Sequence, residues 1–284
     1  MTQDGALIAR HENELSDSTD VATRPEFASR KTTKTIDGQR VIGWFSEDFT
    51  LAEVKTLRAK ERLPKIRPES AKFDGKFDVA TFDEVVALAR KRGIGVYPEM
   101  KHPTHFHSVK LDMVGAMASA LKAHGLDDPR AKVFVQCFEV GPLQRLRALV
   151  KSPLVQLLSP IGRPFDLTLA SDPRGYADLA TPEGLKFIAS YAQGIGPSKD
   201  LVVPKGPRGL GTPTELVREA RRQKLKVHVW TFRDEAQFLP LSTDPDSEIA
   251  AFLDAGADGL FTDFPARAVK ARDKFWAALK AEGR

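Results

Sequence analysis

The chain has 284 residues, 42% of them apolar, with a formal net charge of +5 and a pI near 9.2. This length and composition allow a substantial core in one large domain or two small ones, and the mild basicity favours anionic ligands without requiring a nucleic acid. The lone Cys137 excludes a disulfide within the chain and leaves the redox compartment open, while no apolar run is long enough to span a membrane.

The N-terminal segment predicts a turn at Asp4-Gly5 and then a strand-like run, LIARHE. Alternation along that run sets Leu7, Ala9 and His11 on one face, so that His11 ends the strand. His11 is therefore a candidate site residue if the fold places the end of this strand at an active-site edge.

From Thr81 onward, amphipathic helical segments alternate with short apolar strands. The segment TFDEVVALARKRG predicts a helix with Thr81 as its N-cap and Gly93 at its end. The strands predicted after it are IGVYPEMK, KVFVQCF, PLVQLLS, QGIGPS, LKVHVWTF and ADGLFTD. The helices predicted between and after these strands are about 111–124, GPLQRLRALV, PEGLKFIASYA, PTELVREARRQ, EIAAFLDAG and PARAVKARDKFWAAL.

This alternation is typical of parallel βαβ units. It comprises about six strand–helix pairs, roughly two fewer than the eight that close a barrel. An open, doubly wound sheet with this number of strands is the alternative. Its nucleotide-binding version is disfavoured, because no glycine-rich phosphate loop joins any of these strands to its helix.

Polar and aromatic side chains follow the predicted strands at their carboxyl ends. They are Glu99 and Lys101, Gln136 and Phe138, Trp230 and Arg233, and Asp263. Barrel enzymes place their catalytic groups at this edge, where His11 would join them. A structural role, such as an ion pair, is the commoner one for any single residue of this kind. Their shared placement at strand ends nevertheless indicates a functional site.

These segments resemble the glycerophosphodiester phosphodiesterase family, particularly its bacterial periplasmic type. TQDGALIARHENELSDSTDVA is similar to the family's segment with a catalytic histidine, which maps to His11. IGVYPEMKHP resembles the strand with a metal-binding glutamate and a lysine, which map to Glu99 and Lys101. FVQCFE, YAQGIGPS, VHVWTFR and GADGLFTDFPARAVK match further family segments in the same order. The resemblance implies a TIM (β/α)8-type barrel of the PLC-like phosphodiesterase kind, with residues 12–80 as an insertion subdomain.

The resemblance also implies an activity, namely metal-dependent hydrolysis of glycerophosphodiesters to glycerol 3-phosphate and an alcohol. His11 would be one acid–base group and Lys101 a cation facing the phosphate. Glu99 would be a ligand of a divalent cation, Ca²⁺ or Mg²⁺, and Phe138 and Trp230 would wall the pocket for the glycerol or the head group. The partner is then a small-molecule diester, with no nucleic acid and no membrane span.

The family's first strand carries a His-Arg-Gly motif, and its second strand carries two acidic metal ligands. This chain resembles the family from just after that second strand, so we expect an N-terminally truncated barrel with impaired activity and self-association through exposed sheet edges. A periplasmic or secreted location is expected only if a signal peptide lies upstream. Glu12 is a second departure, because many members have aspartate after the histidine.

Two alternatives remain open. His102, His105 and His107 lie close together beside Glu99 and could form a zinc site, although their spacing matches neither a helical pair nor a zinc finger. The chain could also be a non-catalytic remnant of a barrel that binds a phosphoester or a protein. His124, near a helix C-terminus, and His228, inside a strand, are assigned no chemistry.

Overall fold

The computed structural model of the chain describes residues 1–283, in two compact units that meet in sequence after residue 153. Of these residues, none belongs to a helix with both the length and the apolar character needed to cross a bilayer. The first unit holds the predicted residues His11, Glu99, Lys101 and Phe138, and the second holds Trp230.

The N-terminal segment of the first unit is extended but is not the regular strand that the alternation predicted. Ile8 forms a single antiparallel bridge with Thr81, flanked by hydrogen bonds from the Ala9 amide to the Ala80 carbonyl and from the Phe82 amide to the Leu7 carbonyl. The pairing does not continue to His11, and the His11 side chain is 61% exposed.

A β-hairpin follows that the sequence patterns do not predict. Its strands, β1 (Thr32–Ile36) and β2 (Gln39–Gly43), pair antiparallel around the two-residue turn Asp37-Gly38. Both turn residues have positive φ, 46° for Asp37 and 81° for Gly38. Asp-Gly is a favoured sequence for such a turn, because both residues tolerate the left-handed region. The hairpin therefore projects a carboxylate at its tip.

The remaining elements of the first unit are mostly helical. They are α1 (Leu51–Val54), α2 (Pro68–Ala71), α3 (Phe82–Arg92), α4 (Pro103–Ser108), α5 (Met113–Ala123), the short strand β3 (Val135–Cys137) and α6 (Val140–Leu149). The α3 prediction is confirmed at both ends. Thr81 and Glu84 form a capping box at its N-terminus, and Gly93 ends it in the left-handed conformation with φ 68°.

The segment predicted as the strand IGVYPEMK is held by parallel bridges rather than by a continuous ladder. Val96 bridges Val133, and Glu99 bridges Gln136. Between them, the Gln136 amide donates to the Pro98 carbonyl at 2.9 Å. Proline has no amide hydrogen to donate in return, which interrupts regular pairing at this point. The Glu99 backbone is still fixed beside β3.

Residues 15–79 contain a hydrophobic cluster of their own. Its members are Leu15, Val21, Phe27, Trp44, Phe49, Val54, Leu57 and Val79, with Ile8 packed against them. Burial of a large apolar side chain is worth about 1.5–3 kcal/mol, so this cluster stabilises the region that carries the hairpin. The assignment of residues 12–80 as an insertion subdomain stays a prediction.

The second unit has a parallel sheet in which β4 (Leu154–Leu158), β5 (Gly194–Pro197), β8 (Lys226–Phe232) and β9 (Gly259–Thr262) follow one another. A small antiparallel pair, β6 (Lys205–Gly206) and β7 (Gly209–Leu210), lies apart from it. The helices are α7 (Phe165–Leu169), α8 (Tyr176–Leu179), α9 (Pro182–Ala189), α10 (Lys199–Val202), α11 (Leu216–Arg222), α12 (Pro245–Asp254) and α13 (Pro265–Ala281).

The strand and helix predictions for this second unit are confirmed, with ends moved by a few residues. Strands β4 and β5 are buried along their whole length, as expected for parallel strands covered on both faces. The loosely patterned stretch between β4 and α9, which carried no prediction, contains the short helices α7 and α8.

Candidate active site

Glu12 lies at the centre of the polar groups in the first unit. Its Oε1 is 2.8 Å from Nδ1 of His11 and 3.1 Å from Nζ of Lys101, and its Oε2 is 3.1 Å from Nε2 of His102. Burial alone would raise the pKa of Glu12, but hydrogen bonds from His102 and His11 and the charge of Lys101 outweigh it and hold the pKa well below its usual range. An ionised Glu12 thus brings the predicted residues His11 and Lys101 together.

The state of Glu12 decides which nitrogen of His11 is available. An ionised carboxylate can only accept hydrogen bonds, so Nδ1 of His11 donates to it. In the neutral ring, the Nε2 lone pair is then free to take a proton. His11 therefore has the tautomer that a general base needs, with its side chain open to solvent.

His102 is held between two carboxylates. Its Nδ1 is 2.6 Å from Oδ2 of Asp37, at the tip of the β1–β2 hairpin, and its Nε2 faces Glu12. Burial alone would lower the pKa of His102, but the hydrogen bonds to Asp37 and Glu12 prevail and raise the pKa to about 9. His102 is also one of the few non-glycine residues with positive φ, at 55°. It is thus a charged link between the hairpin and Glu12.

Glu99 differs from Glu12 in its surroundings. Burial raises the pKa of its carboxyl, and the nearby charges of Lys101, His11 and His102 offset this only in part. Its Oε1 is buried and has no hydrogen-bond partner within the described chain. A buried acceptor without a partner costs free energy, which a ligand or a cation at this oxygen would recover. Lys101 pairs with Glu12 and not with Glu99.

The Glu99 oxygen fits one ligand position of a hard divalent cation, which takes about six oxygen ligands. Within residues 1–283, however, no group of three or more histidine, cysteine, aspartate or glutamate side chains is arranged to hold a metal ion. The described side chains therefore fit a metal ion in part, through Glu99, and do not form a complete site.

The polar groups open onto a cavity of about 600 Å³ in the first unit. His11, Glu12, Glu99 and Lys101 line it on the polar side, together with Arg10. Its apolar side is formed by Phe82, Val85, Val96, Phe106, Met113 and Met117. A concave site with an apolar wall and a few convergent charged groups is the usual form of a small-molecule site.

The two aromatic residues predicted to wall the pocket occupy different units. Phe138 follows β3 and is half-buried. Trp230 lies in β8, where its Nε1 donates to the Gly196 carbonyl at 2.7 Å. Nearby, beyond the ends of β8 and β9, Arg233 pairs with Asp263 at 3.1 Å. The pocket roles of Phe138 and Trp230, and the common rim expected for His11, Glu99, Trp230 and Asp263, stay predictions.

The three histidines considered for zinc have different surroundings. His102 lies between Asp37 and Glu12, whereas the buried His105 places its Nε2 2.7 Å from Oε1 of Glu47. His107 is exposed. His102 and His105 thus each contact carboxylates, and the described part of the chain gives no support to a zinc site there.

The chain belongs to the glycerophosphoryl diester phosphodiesterase family, whose family model matches residues 1–267. It is 37% identical over 285 residues to "Glycerophosphodiester phosphodiesterase GDPD6" of Arabidopsis thaliana, covering 93% of this chain and 73% of that protein. It is 29% identical over 296 residues to a glycerophosphodiester phosphodiesterase of Haemophilus influenzae, covering 93% of this chain and 78% of that one. The family resemblance inferred from the sequence motifs is confirmed.

Solved structures show the same fold at low sequence identity. A protein of Silicibacter pomeroyi superposes with a TM-score of 0.64 at 20% identity, covering 95% of this chain and 80% of that one. A glycerophosphodiester phosphodiesterase of Parabacteroides distasonis gives a TM-score of 0.52 at 15% identity, with 85% and 82% covered. The predicted TIM-type α/β barrel class is confirmed. The periplasmic type and the truncation stay predictions.

Proposed function

We propose that this chain hydrolyses glycerophosphodiesters to glycerol 3-phosphate and an alcohol, with Ca²⁺ or Mg²⁺ as the divalent cation that the family generally requires. The observation that carries the proposal is the Glu12-centred arrangement of His11 and Lys101, which opens with Glu99 onto one cavity. A phosphodiester is an anion, so its hydrolysis needs positive charge at the phosphoryl oxygens and proton transfer to and from oxygen.

His11 would provide the proton transfer. Its Nδ1 hydrogen is directed at Glu12, which leaves Nε2 to accept a proton from the hydroxyl that attacks phosphorus. The same nitrogen would then give this proton to the alcohol oxygen as its bond to phosphorus breaks. Glu12 also stabilises the imidazolium that forms, as a carboxylate does wherever it accepts from the distal nitrogen of a catalytic histidine.

Lys101 and Glu99 would act on the phosphate side of the site. Lys101 supplies a positive charge at the cavity, although Glu12 neutralises part of it. Glu99 would hold the divalent cation, which when bound supplies further positive charge to the phosphoryl oxygens. Phe138 and Trp230 would present aromatic surface to the glycerol or the head group, as the family resemblance implies.

The test is release of glycerol 3-phosphate from glycerophosphocholine, measured with and without added Ca²⁺ or Mg²⁺. We expect Glu99→Gln nearly to abolish release, because a neutral amide cannot replace a charged metal ligand, and to weaken cation binding measured by calorimetry. We expect His11→Ala to lower turnover roughly 10²–10⁴-fold, the usual contribution of a positioned acid–base group.

Matched controls are Glu69→Gln, at a side chain that is 81% exposed, and His107→Ala, at an exposed histidine. Unchanged turnover in both site variants would mean that the family roles belong to other residues. The same assay on the unaltered chain tests the impaired activity expected from the sequence.

A non-catalytic phosphoester-binding module is the less well supported function. The family relatives are named as phosphodiesterases, and the tautomer of His11 suits proton transfer. Binding of glycerol 3-phosphate without any hydrolysis of a diester, at any concentration of cation, would favour the binding module.

A further inference from the structure

Arg10 is a half-buried arginine that lines the cavity and has no acidic partner within residues 1–283. Its Nη1 donates to the Ser18 carbonyl at 3.3 Å, and its Nε is buried without any hydrogen-bond partner. Burial lowers the pKa of the guanidinium, and no neighbouring carboxylate opposes that effect. Buried charges in proteins are usually paired, so an unpaired guanidinium facing a cavity points to an anionic ligand.

A second cation lies beside Arg10 for a local structural reason. Thr19 and Ala59 form an antiparallel bridge, and the Lys60 amide donates to the same Ser18 carbonyl at 3.0 Å. The pairing of these two segments therefore brings Lys60 next to Arg10. The exposed Lys60 side chain lines the cavity and has no ion-pair partner in the described chain, and Arg62 lines the cavity as well.

Glu61 lies between Lys60 and Arg62 in sequence and does not neutralise Arg10. Glu61 Oε1 accepts from the Leu63 amide at 2.9 Å. Burial alone would raise the pKa of Glu61, but a hydrogen bond from Ser70, the Leu63 amide and the charges of Arg67 and Arg62 lower it. Its carboxylate is thus bound within its own loop. Arg10 and Lys60 remain a positive edge of the cavity.

This edge differs from the cation assigned to the reaction. Lys101 contacts Glu12, which offsets its charge, whereas Arg10 and Lys60 share a neutral contact, the Ser18 carbonyl, which accepts from the Arg10 side chain and from the Lys60 amide. We infer that Arg10 and Lys60 form a second oxyanion subsite in the cavity, which binds a phosphate group carried by the alcohol portion of the diester.

The inference rests on the proposed function and refines its substrate class. Arginine suits this role, because its planar fork can donate two hydrogen bonds to one phosphate. The chain would then favour glycerophosphodiesters whose alcohol is itself phosphorylated over those with a neutral or cationic alcohol.

Kinetics on matched substrates tests this preference. Glycerophosphoglycerol is compared with the same diester bearing a phosphate monoester on its terminal hydroxyl. We expect the phosphorylated diester to have a KM about tenfold lower, as one charge-assisted contact allows. Arg10→Gln should remove this difference in KM, and Arg10→Lys should restore part of it. The control is Arg40→Gln, which makes the same change of charge at an exposed hairpin residue and should leave the difference in KM intact.

Binding of inorganic phosphate, measured by calorimetry, tests the subsite without any turnover. We expect Arg10→Gln to weaken it at least about fivefold and Arg40→Gln to have no effect. If phosphate binding depends on Arg10 while no diester is hydrolysed, the proposed function fails and the subsite stands.

If Arg10→Gln still hydrolyses the diesters, and its phosphate binding and substrate preference are those of the unaltered chain, the proposed subsite is wrong. Thermal unfolding of each variant identifies a loss of fold. If Arg10→Gln does not fold, Lys60→Gln carries the same test, because its exposed side chain can be changed without disturbing the Ser18 hydrogen bond.

Discussion

His102 shows how a single side chain can connect distant parts of the first unit. The ring donates to Asp37 on one side and to Glu12 on the other, and Asp37 is 65 residues away in sequence. A histidine with both nitrogens donating is the imidazolium form. Its positive charge helps to keep Glu12 ionised, and Glu12 in turn orients His11. Asp37 is therefore a positioning residue three contacts away from the proposed base, with His102 and Glu12 between them.

The raised pKa of His102 predicts how stability depends on pH. Its usual value near 6.5 rises to about 9 in the folded chain, so its ion pairs contribute fully below about pH 6.5 and are lost as the pH rises through about 9. We expect Asp37→Asn to lower the free energy of unfolding at pH 6, with a difference from the unaltered chain that shrinks toward pH 9.5. Denaturant unfolding at both pH values measures this.

Asp17→Asn, at an exposed carboxylate, is the control and should have little effect at either pH. An NMR titration of His102 provides a direct check, with a lower pKa expected in Asp37→Asn. An equal loss of stability at both pH values would show that Asp37 acts through the hairpin turn alone, and not through the charge of His102.

At the scale of elements, the buried carboxylate of Glu47 joins helix α4 to the region of the hairpin. Glu47, whose side chain is 2% exposed, contacts His105 of α4 at 2.7 Å, Lys34 of β1 at 3.0 Å and Nδ2 of Asn13 at 3.2 Å. Burial alone would raise the pKa of Glu47, but His105, the backbone and Lys34 lower it to about 2. This contact anchors α4, which begins directly after His102.

Removing Glu47 should therefore destabilise the first unit. Loss of a hydrogen bond to a charged group costs about 1.5–3 kcal/mol, and here Lys34 keeps a second carboxylate partner, Asp48, at 2.7 Å. We expect Glu47→Gln to lower the free energy of unfolding at pH 7 by an amount in this range, measured with denaturant. Glu69→Gln, at a side chain that is 81% exposed, is the matched control.

The depressed pKa of Glu47 also predicts how its effect depends on pH. The stabilisation from the ionised Glu47 carboxylate is fully present above its usual pKa of 4.5 and is lost as the pH falls toward about 2. The difference between the unaltered chain and Glu47→Gln should therefore shrink between about pH 4.5 and pH 2. A difference that does not change over this range would contradict an ionic role for Glu47.

The elements also differ in how well their sequences predict them. Helix α3 has apolar residues at helical spacing, a capping box and a glycine at its end, and all of these signals are local. The hairpin has the Asp37-Gly38 turn but mostly exposed strands, so little hydrophobic alternation marks it. The segment before Glu99 has strand composition, but Pro98 limits its pairing.

At the scale of the whole molecule, the formal net charge of +5 favours capture of anionic substrates. We expect kcat/KM for glycerophosphoglycerol, which carries one net negative charge, to fall several-fold as the ionic strength rises from about 0.01 M to about 0.15 M. The screening length shortens from about 30 Å to about 8 Å over this range. Initial rates at low substrate concentration measure the effect.

Glycerophosphocholine, whose charges cancel, is the control substrate and should respond much less to salt. Equal salt dependence for both substrates would contradict electrostatic capture. Self-association through sheet edges, expected from the sequence, stays a prediction at this scale.

The sequence by itself determined the class of this protein. Most of its helices and strands from Thr81 onward follow from local periodicity and capping, and its ordered motifs identify the family together with His11, Glu99 and Lys101 as candidates. These signals are contained within short stretches of chain, so they can be recognised without a structure.

Only the tertiary structure decided how the charged groups are partnered. The contacts of Glu12 with Lys101 and His102, of His102 with Asp37 and of Glu47 with His105 join residues 58 to 90 positions apart. The unpaired state of Arg10 likewise depends on which carboxylates the fold brings near it. Electrostatic interactions depend on distance and burial, which the order of residues along the chain does not specify.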